Sequence, residues 1–282
     1  MDDIVSHKQV MTQMEKAHRF RALHEGSGVL LIPNPWDAGS ARVLEHLDFD
    51  ALATSSAASA GTLGHRDGRI TRVEALAHAR LIVQATRLPV SADLENGFDD
   101  SPAGVAETIR LAAEAGLVGC SIEDSTGDPH KPQYNIGHAT ERIRAAVEAA
   151  RALPFPFTLT ARAENFFRGE HDLDDTIKRL AAYEEAGADV LFAPALPDLN
   201  AVRCVCATIR KPVNFMVGVK GCSYTVAELA AVGVKRISFA SSLYRAAMTG
   251  LLDAAREVKT LGTFGYLKTA LTSAEFNAYL KD

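Results

Sequence analysis

The sequence predicts a single (β/α)8 barrel of the TIM type, and three observations carry that expectation. Short apolar runs recur eight times along 282 residues and alternate with longer segments of helical periodicity. Those runs are apolar throughout rather than alternating, the pattern of a parallel sheet covered on its outer side. Helix ends feed straight into strand starts at Ala115-Gly116-Leu117-Val118, Ala186-Gly187-Ala188-Asp189 and Val232-Gly233-Val234-Lys235, as expected where a glycine stops a helix. Eight such units close most naturally into a barrel within one domain. An open doubly wound sheet fits less well, because no Gly-x-Gly-x-x-Gly stands between a strand and its helix.

Taken in order, residues 4–25 carry Val5, Met11, Met14, Phe20 and Leu23 among charges, which predicts an amphipathic helix packed outside the main core. The first strand is the run 29–33, followed by Asn34-Pro35-Trp36-Asp37 and a helix over 38–46. The second strand, 51–53, ends in Thr54-Ser55-Ser56; a Gly-rich loop over 60–68 then leads to a helix at about 72–86. Strands three to eight are expected at 88–94, 118–122, 157–161, 189–193, 213–217 and 236–240. Their helices fall at about 103–115, 138–152, 174–186, 198–209, 225–232 and 242–258. After that the pattern breaks. Residues 261–271 are irregular, and Thr272-Ser273-Ala274-Glu275 opens a last short helix with a capping box. The domain reading is therefore one unit over 1–282: an N-terminal helix within 1–25, a barrel over 26–258 and a C-terminal helical extension over 259–282 that docks on a neighbouring subunit.

Composition limits the partners. A formal charge of −5 without a basic cluster leaves no electrostatic footprint for nucleic acid or an anionic membrane, so the expected partner is a small molecule. No apolar run has the length of a membrane span and the N-terminus has no signal-like core. Cys120, Cys204, Cys206 and Cys222 have no metal-site spacing. A reducing cytoplasm is expected.

Barrel chemistry sits at the C-terminal ends of the strands, so the strand-end residues form a candidate site. They are Thr54, Ser55 and Ser56 after strand two with Asp67 in its loop, and Asp93 and Glu95 after strand three. Glu123 and Asp124 follow strand four, Arg162, Glu164 and Asn165 follow strand five, and Asn214 lies within strand seven. Burying several anions together is costly unless a cation compensates them. The set suits Mg²⁺ or Mn²⁺, held through one or two carboxylates, waters and substrate oxygens. It suits Zn²⁺ poorly, since no His or Cys stands at a matching strand end.

These residues resemble a known family. Asp93-Leu94-Glu95-Asn96-Gly97-Phe98 is similar to the Asp-Ala-Asp-Thr-Gly-Tyr signature of the isocitrate lyase and phosphoenolpyruvate mutase superfamily. Ile122-Glu123-Asp124, Ala161-Arg162-Ala163-Glu164 and the loop from Gly61 to Asp67 resemble three further motifs of that superfamily, in the same order, and the resemblance runs from about Pro33 to Ala247. It implies that Asp93 ligates Mg²⁺, that Asp67, Glu95 and Glu123 hold waters around the ion, and that Arg162 grips a substrate carboxylate. Thr54, Ser55, Ser56, Gly97 and Asn214 are then expected to face the substrate, with Arg162, Glu123 and Asp67 forming the catalytic set. The site so implied chelates a pyruvate unit and stabilises its enolate when a C–C or P–C bond breaks. The resemblance further implies a homotetramer, a dimer of dimers in which the last barrel helix is exchanged between subunits.

The departures from the family pattern bear on the substrate. Isocitrate and methylisocitrate lyases carry a Lys-x-Cys-Gly-His segment after strand four, whereas residues 125–135 here contain no Cys. Phosphonopyruvate-cleaving members place a Lys directly after Ile-Glu-Asp; this chain has Ser125, with Lys131 and Asn135 further along the loop. The family's acid at the end of strand six is replaced by Ala193-Pro194-Ala195, which leaves His130, Tyr134, Cys222 or water as proton donor. Decarboxylation demands least from such a site, so oxaloacetate decarboxylase-like cleavage is the first expectation. The alternatives are a phosphonopyruvate or carboxyphosphonoenolpyruvate P–C bond enzyme, a 2-methylisocitrate lyase-like enzyme and a non-catalytic 2-oxo acid binder. Lesser expectations attach to Gly218 through Gly221 with Ser241 and Ser242, where many barrels bind phosphate, and to Lys220, whose amine could form a Schiff base. Both have the simpler reading of a turn or a helix cap.

Overall fold

The computed structural model describes residues 11–219 and 223–280, so the expectations placed on Val5, Lys220, Gly221 and Cys222 lie outside the described residues. In chain order the elements are α1 (Gln13–Glu25), β1 (Leu30–Ile32), α2 (Ala38–His46), β2 (Leu52–Ala53), α3 (Ser56–Thr62), α4 (Arg72–Ala85), β3 (Val90–Asp93), α5 (Pro102–Glu114), β4 (Gly119–Glu123) and α6 (Ile136–Arg151). They continue as β5 (Thr158–Arg162), α7 (Leu173–Glu185), β6 (Val190–Phe192), α8 (Leu199–Thr208), β7 (Val213–Met216), α9 (Val226–Ala231), β8 (Arg236–Ser238), α10 (Ser242–Leu261) and α11 (Ser273–Tyr279). Single 3-10 turns at Phe166–Arg168 and Gly265–Lys268 complete the set.

All eight strands are parallel and pair in the order β1-β8-β7-β6-β5-β4-β3-β2. The seam between β1 and β2 is drawn together just past the strand ends. There Ala53 N donates to Pro33 O at 3.1 Å, and Asn34 Nδ2 donates to Thr54 O at 2.8 Å while its Oδ1 accepts from Phe239 N at 2.8 Å. The result is a nearly closed barrel.

The helices begin where the sequence supplies acceptors for orphan backbone N–H groups. Thr12, Asp37, Thr71, Thr225 and Thr272 each open a reciprocal capping box, and each cap contributes about 1 kcal/mol. The helix faces turned inward, with the outward residues of the strands, form one continuous core between barrel and helix ring. Among the described residues no helix is long and apolar enough to cross a membrane.

One expectation is corrected and two gain detail. The N-terminal helix packs outside the main core as expected: Ala17 and Phe20, fully buried, pack with Leu30, Ile32, Ala51 and Val118 in a small core of their own at the N-terminal end of the barrel. Gln13 Nε2 donates to Ala113 O and Leu117 O, and Lys16 Nζ to Thr86 O, so α1 is a plug fastened to the segments that enter the strands. Gly119 makes room for it, since a Cβ there would stand 2.6 Å from Thr158 O and 3.0 Å from the Phe20 ring. The correction is α3, which occupies part of what the glycines suggested was loop. The extension also has a contact within its own chain. α11 returns to α2 of its own chain, where Tyr279 meets His46 ring to ring at 5.1 Å and Arg42 donates to Leu280 O at 3.0 Å. By contrast α10, 20 residues long, buries none of them and leaves Leu251, Leu252 and Leu261 exposed.

Candidate active site

Strand alternation decides which acids reach the barrel mouth. Asp93 and Glu123 end β3 and β4 facing inward, and Arg162 ends β5 between them: Arg162 Nη1 is 3.8 Å from Asp93 Oδ2 and Nε is 3.5 Å from Glu123 Oε2. Arg162 Nε also donates to Glu164 Oε1. Asp93 is fixed by its neighbours, accepting from Ser56 N at 3.2 Å, Ser121 Oγ at 3.3 Å and Glu95 N at 3.4 Å. Thr54 Oγ1 in turn accepts from Asp93 N at 3.1 Å. Glu95 adopts a left-handed backbone (φ 49°), which L residues seldom take up without tertiary compulsion. Its side chain lines an open cleft with Ser56, Asp67, Glu123, Arg162 and Arg168.

The expected residues divide into three groups. Asp93, Glu95, Glu123 and Arg162 converge, and Glu164 joins them as a fully buried partner of Arg162. Thr54, Ser55 and Asn214 are buried and line a smaller cavity in the barrel beneath, together with Asp93 and Arg162. Asp67 stands exposed on the rim of the open cleft, close enough for its charge to act on Glu95.

Two residues go elsewhere. Gly97 is buried, at φ 83°, with Val105 3.1 Å from where its Cβ would be and its carbonyl accepting from Thr108 Oγ1; it serves the turn and does not line the cleft. Asp124 points outward, opposite to Glu123. It accepts from Glu164 N, Tyr183 Oη, Arg179 Nη1 and Gln133 Nε2, an ion-paired tie between β4, β5 and α7. Tyr134 is likewise a strut, bonded to Asp100 and Asn96, and burial together with the Asp100 contact pushes its phenol up to about 12.

Sequence reasoning missed Arg168. It closes the 3-10 turn Phe166–Arg168, with Nη2 3.2 Å from Glu123 Oε1 and Nε 3.4 Å from Glu164 Oε2. No spacing signal marks a lone Arg in a loop as part of a site. Four carboxylates (Asp93, Glu95, Glu123, Glu164) thus share two guanidinium groups, leaving two formal negative charges uncompensated.

The electrostatics register that excess. Burial, reinforced by Asp93 and Asp67, pushes Glu95 up to about 7. Burial and the adjoining Glu164 raise Glu123 although Arg162 opposes them, and burial raises Glu164 against the same Arg. Burial works against the charge of Arg162, but Glu164, Glu123 and Asp93 outweigh it and hold the guanidinium protonated above its usual range. Among the described residues no three His, Cys, Asp or Glu side chains form a ready-made metal cage. One observation favours a cation all the same: Glu95 Oε1 is buried with no hydrogen-bond partner, in a site two charges short of neutrality. Few direct ligands and surplus negative charge fit a hard divalent ion that keeps most of its own water.

A pH prediction follows. A carboxyl whose folded pKa is raised contributes stability that is present below its ordinary value of 4.5 and is lost as pH rises through about 7. His24, lowered by burial to about 4, acts with the opposite sign over part of that range, so the readout must be a difference. The melting temperature of metal-free Glu95→Gln minus that of the unsubstituted chain is expected to grow from pH 5 to pH 8. Added Mg²⁺ should raise the melting temperature of the unsubstituted chain more at pH 8 than at pH 5. Parallel melting curves at all pH values would contradict both.

Comparison with known proteins agrees with this geometry. Residues 20–259 match the sequence model of the phosphoenolpyruvate phosphomutase family. A 2,3-dimethylmalate lyase from Eubacterium barkeri is 31% identical over 94% of this chain and 93% of its own length. A 2-methylisocitrate lyase from Halalkalibacterium halodurans is 31% identical over 73% of this chain and 69% of its own. Among solved structures, a Burkholderia cenocepacia J2315 protein provisionally called a lyase/mutase superposes with a TM-score of 0.94 at 52% identity, covering 96% of this chain and 97% of that one.

Proposed function

This chain belongs to the phosphoenolpyruvate phosphomutase family, within the isocitrate lyase and phosphoenolpyruvate mutase superfamily, and we propose that it is a Mg²⁺-dependent lyase that cleaves a carbon–carbon bond of a 2-oxo or 2-hydroxy acid through a pyruvate enolate. The observation that carries the reading is the convergence of Asp93, Glu95 and Glu123 on Arg162 with one buried carboxylate oxygen of Glu95 unpartnered. Asp93 would hold the ion, with Glu95, Glu123 and Asp67 contributing charge around it. A divalent cation bound there supplies a Lewis acid for the 2-oxo oxygen, where enolate charge develops.

The chain's own residues do the remaining work. Arg162, kept protonated by its three carboxylates, offers N–H donors to a substrate carboxylate. Ser56 N and Ser121 Oγ hold Asp93 in one orientation, so no reorganisation is needed as charge moves. Arg168, about one-third exposed, borders the cleft on the solvent side. Among the described residues no thiol stands at the mouth: Cys120 is fully buried in the core, and burial raises its pKa. The loop over residues 125–135 carries no Cys, and that departure from the lyase pattern favours the reaction with the smallest need for an acid, oxaloacetate decarboxylation. There carbon dioxide leaves with its carbon's share of the bond lost, the electron pair stays as enolate, and a proton from solvent completes pyruvate.

The test is pyruvate release from oxaloacetate, 2-alkylmalates, 2-methylisocitrate and phosphonopyruvate, each with Mg²⁺ or Mn²⁺ and with a chelator. Pyruvate from one of the first three acids that stops with the chelator is expected, whereas pyruvate from phosphonopyruvate alone would mean P–C cleavage and overturn the carbon–carbon reading. Undiminished turnover without any divalent ion would refute the proposal. Oxalate binding by calorimetry with no product from any acid would point instead to a 2-oxo acid binder.

The bare α10 helix supports an assembly in which it packs on another subunit, and we place the chain in a homotetramer built as a dimer of dimers. Leu251→Lys with Leu252→Lys is expected to shift the light-scattering mass to a smaller species with the far-ultraviolet circular dichroism unchanged. A monomeric unsubstituted chain would overturn the assembly.

A further inference from the structure

Among the described residues four arginines are buried, and two of them, Arg142 and Arg236, have no carboxylate within ion-pair distance. Arg162 and Arg179 meet carboxylates, and Arg142 is met by the carbonyls of Glu123, Asn96 and Asp99. Among the described residues Arg236, 6% exposed at the start of β8, meets Asn214 Oδ1 at 2.8 Å on Nε and His24 Nε2 at 3.4 Å on Nη1 and no carboxylate. Those bonds use two of five N–H donors. His24 cannot supply negative charge. Its Nδ1 lies 2.8 Å from Phe20 O, burial holds the ring neutral with a pKa of about 4, and its other nitrogen merely lends a lone pair to Arg236. Burial alone drives the Arg236 pKa down, to about 9, with no carboxylate to oppose it.

The surroundings are built for a polar guest. Barrel interiors are ordinarily filled by layers of Val, Ile and Leu, but here the inward positions include Ser91, Ser121, Asn214, Arg236 and Ser238, which line a cavity of about 50 Å³. Thr160, on the same face of β5 as Arg162, has a buried hydroxyl with no partner. A cavity of this size has room for a few water-sized groups, on the order of one carboxylate or halide. A buried, uncompensated guanidinium costs several kcal/mol, and an anion beside it would remove most of that cost.

We propose that the barrel interior beneath the catalytic carboxylates is an anion site, in which Arg236, oriented by Asn214 and His24, binds one monoanion of carboxylate size. Two sources share this chemistry: a free inorganic or formate-like ion, or a carboxylate of the organic acid held at the mouth, since Asp93 and Arg162 line the same cavity. The site itself stands apart from the proposed reaction, because binding there needs neither turnover nor a divalent ion.

Thermal unfolding without divalent metal, titrated with bromide or formate against sulfate at matched ionic strength, tests it. The unsubstituted chain is expected to gain about 5 °C, saturably, at 100-fold excess over Kd. Arg236→Met should show no gain and should melt no lower than the unsubstituted chain in anion-free buffer. Asn214→Asp, which gives Arg236 an internal carboxylate, should also lose the response while keeping the fold. In bromide-soaked crystals an anomalous peak should lie within hydrogen-bond distance of the guanidinium. Competition between bromide and oxalate in calorimetry identifies the organic acid as the occupant, and independent binding identifies the free ion. An identical anion response in Arg236→Met, or no saturable response in the unsubstituted chain, overturns the proposal.

Discussion

Asp93→Asn is expected to lower turnover at least about 10³-fold, the scale of several kcal/mol of transition-state charge stabilisation, while the folded state is kept. The amide is isosteric, and its oxygen can still accept from Ser56 N or Ser121 Oγ, the bonds that fix Asp93 now. What is lost is one anion from a cluster that already has two too many. The melting temperature of the metal-free variant should therefore equal or exceed that of the unsubstituted chain, and its response to Mg²⁺ should disappear. Melting curves with and without Mg²⁺ read out the second claim even before a substrate is known. A variant that still gains stability from Mg²⁺ would remove Asp93 from the ion's coordination.

That arrangement was partly legible from the residues alone. Continuous apolar runs and Gly stops locate all eight strands to within two residues at each end, because burial on both faces leaves little freedom of composition. The segment Ser56–Thr62 escaped notice because small residues give a helix no apolar stripe to read. Glu123 and Asp124 look equivalent in sequence, yet adjacent strand residues must face opposite ways, and that rule alone would have sent one of them to the barrel wall. Gly97 belongs to the signature for its positive φ, a backbone requirement that resembles a binding role when only letters are compared. Arg168 and Arg236 gave no signal at all. Their meaning lies in what surrounds them, one beside two carboxylates and the other beside none.

Arg162 tests the same charge balance from the opposite side, with a larger effect on the fold. Its side chain is 10% exposed and stands within 4 Å of Asp93, Glu123 and Glu164, so Arg162→Met leaves buried carboxylates facing one another. Breaking a buried ion pair from one side costs about 3–5 kcal/mol, which for a chain of this size is a fall in melting temperature of roughly 6–15 °C. Turnover should be lost with it, since no other guanidinium reaches Asp93 among the described residues. The sign of the pH dependence separates this from simple loss of packing. Burial already raises the pKa of both Glu123 and Glu164 while Arg162 opposes the rise, so without Arg162 the rise grows. The variant's deficit should therefore shrink as pH falls from 8 towards 5, because the surviving carboxylates can take up protons and stop repelling. Denaturant unfolding at both pH values measures it: a deficit independent of pH would mean that Arg162 acts by filling space, and the electrostatic account of the site would fail.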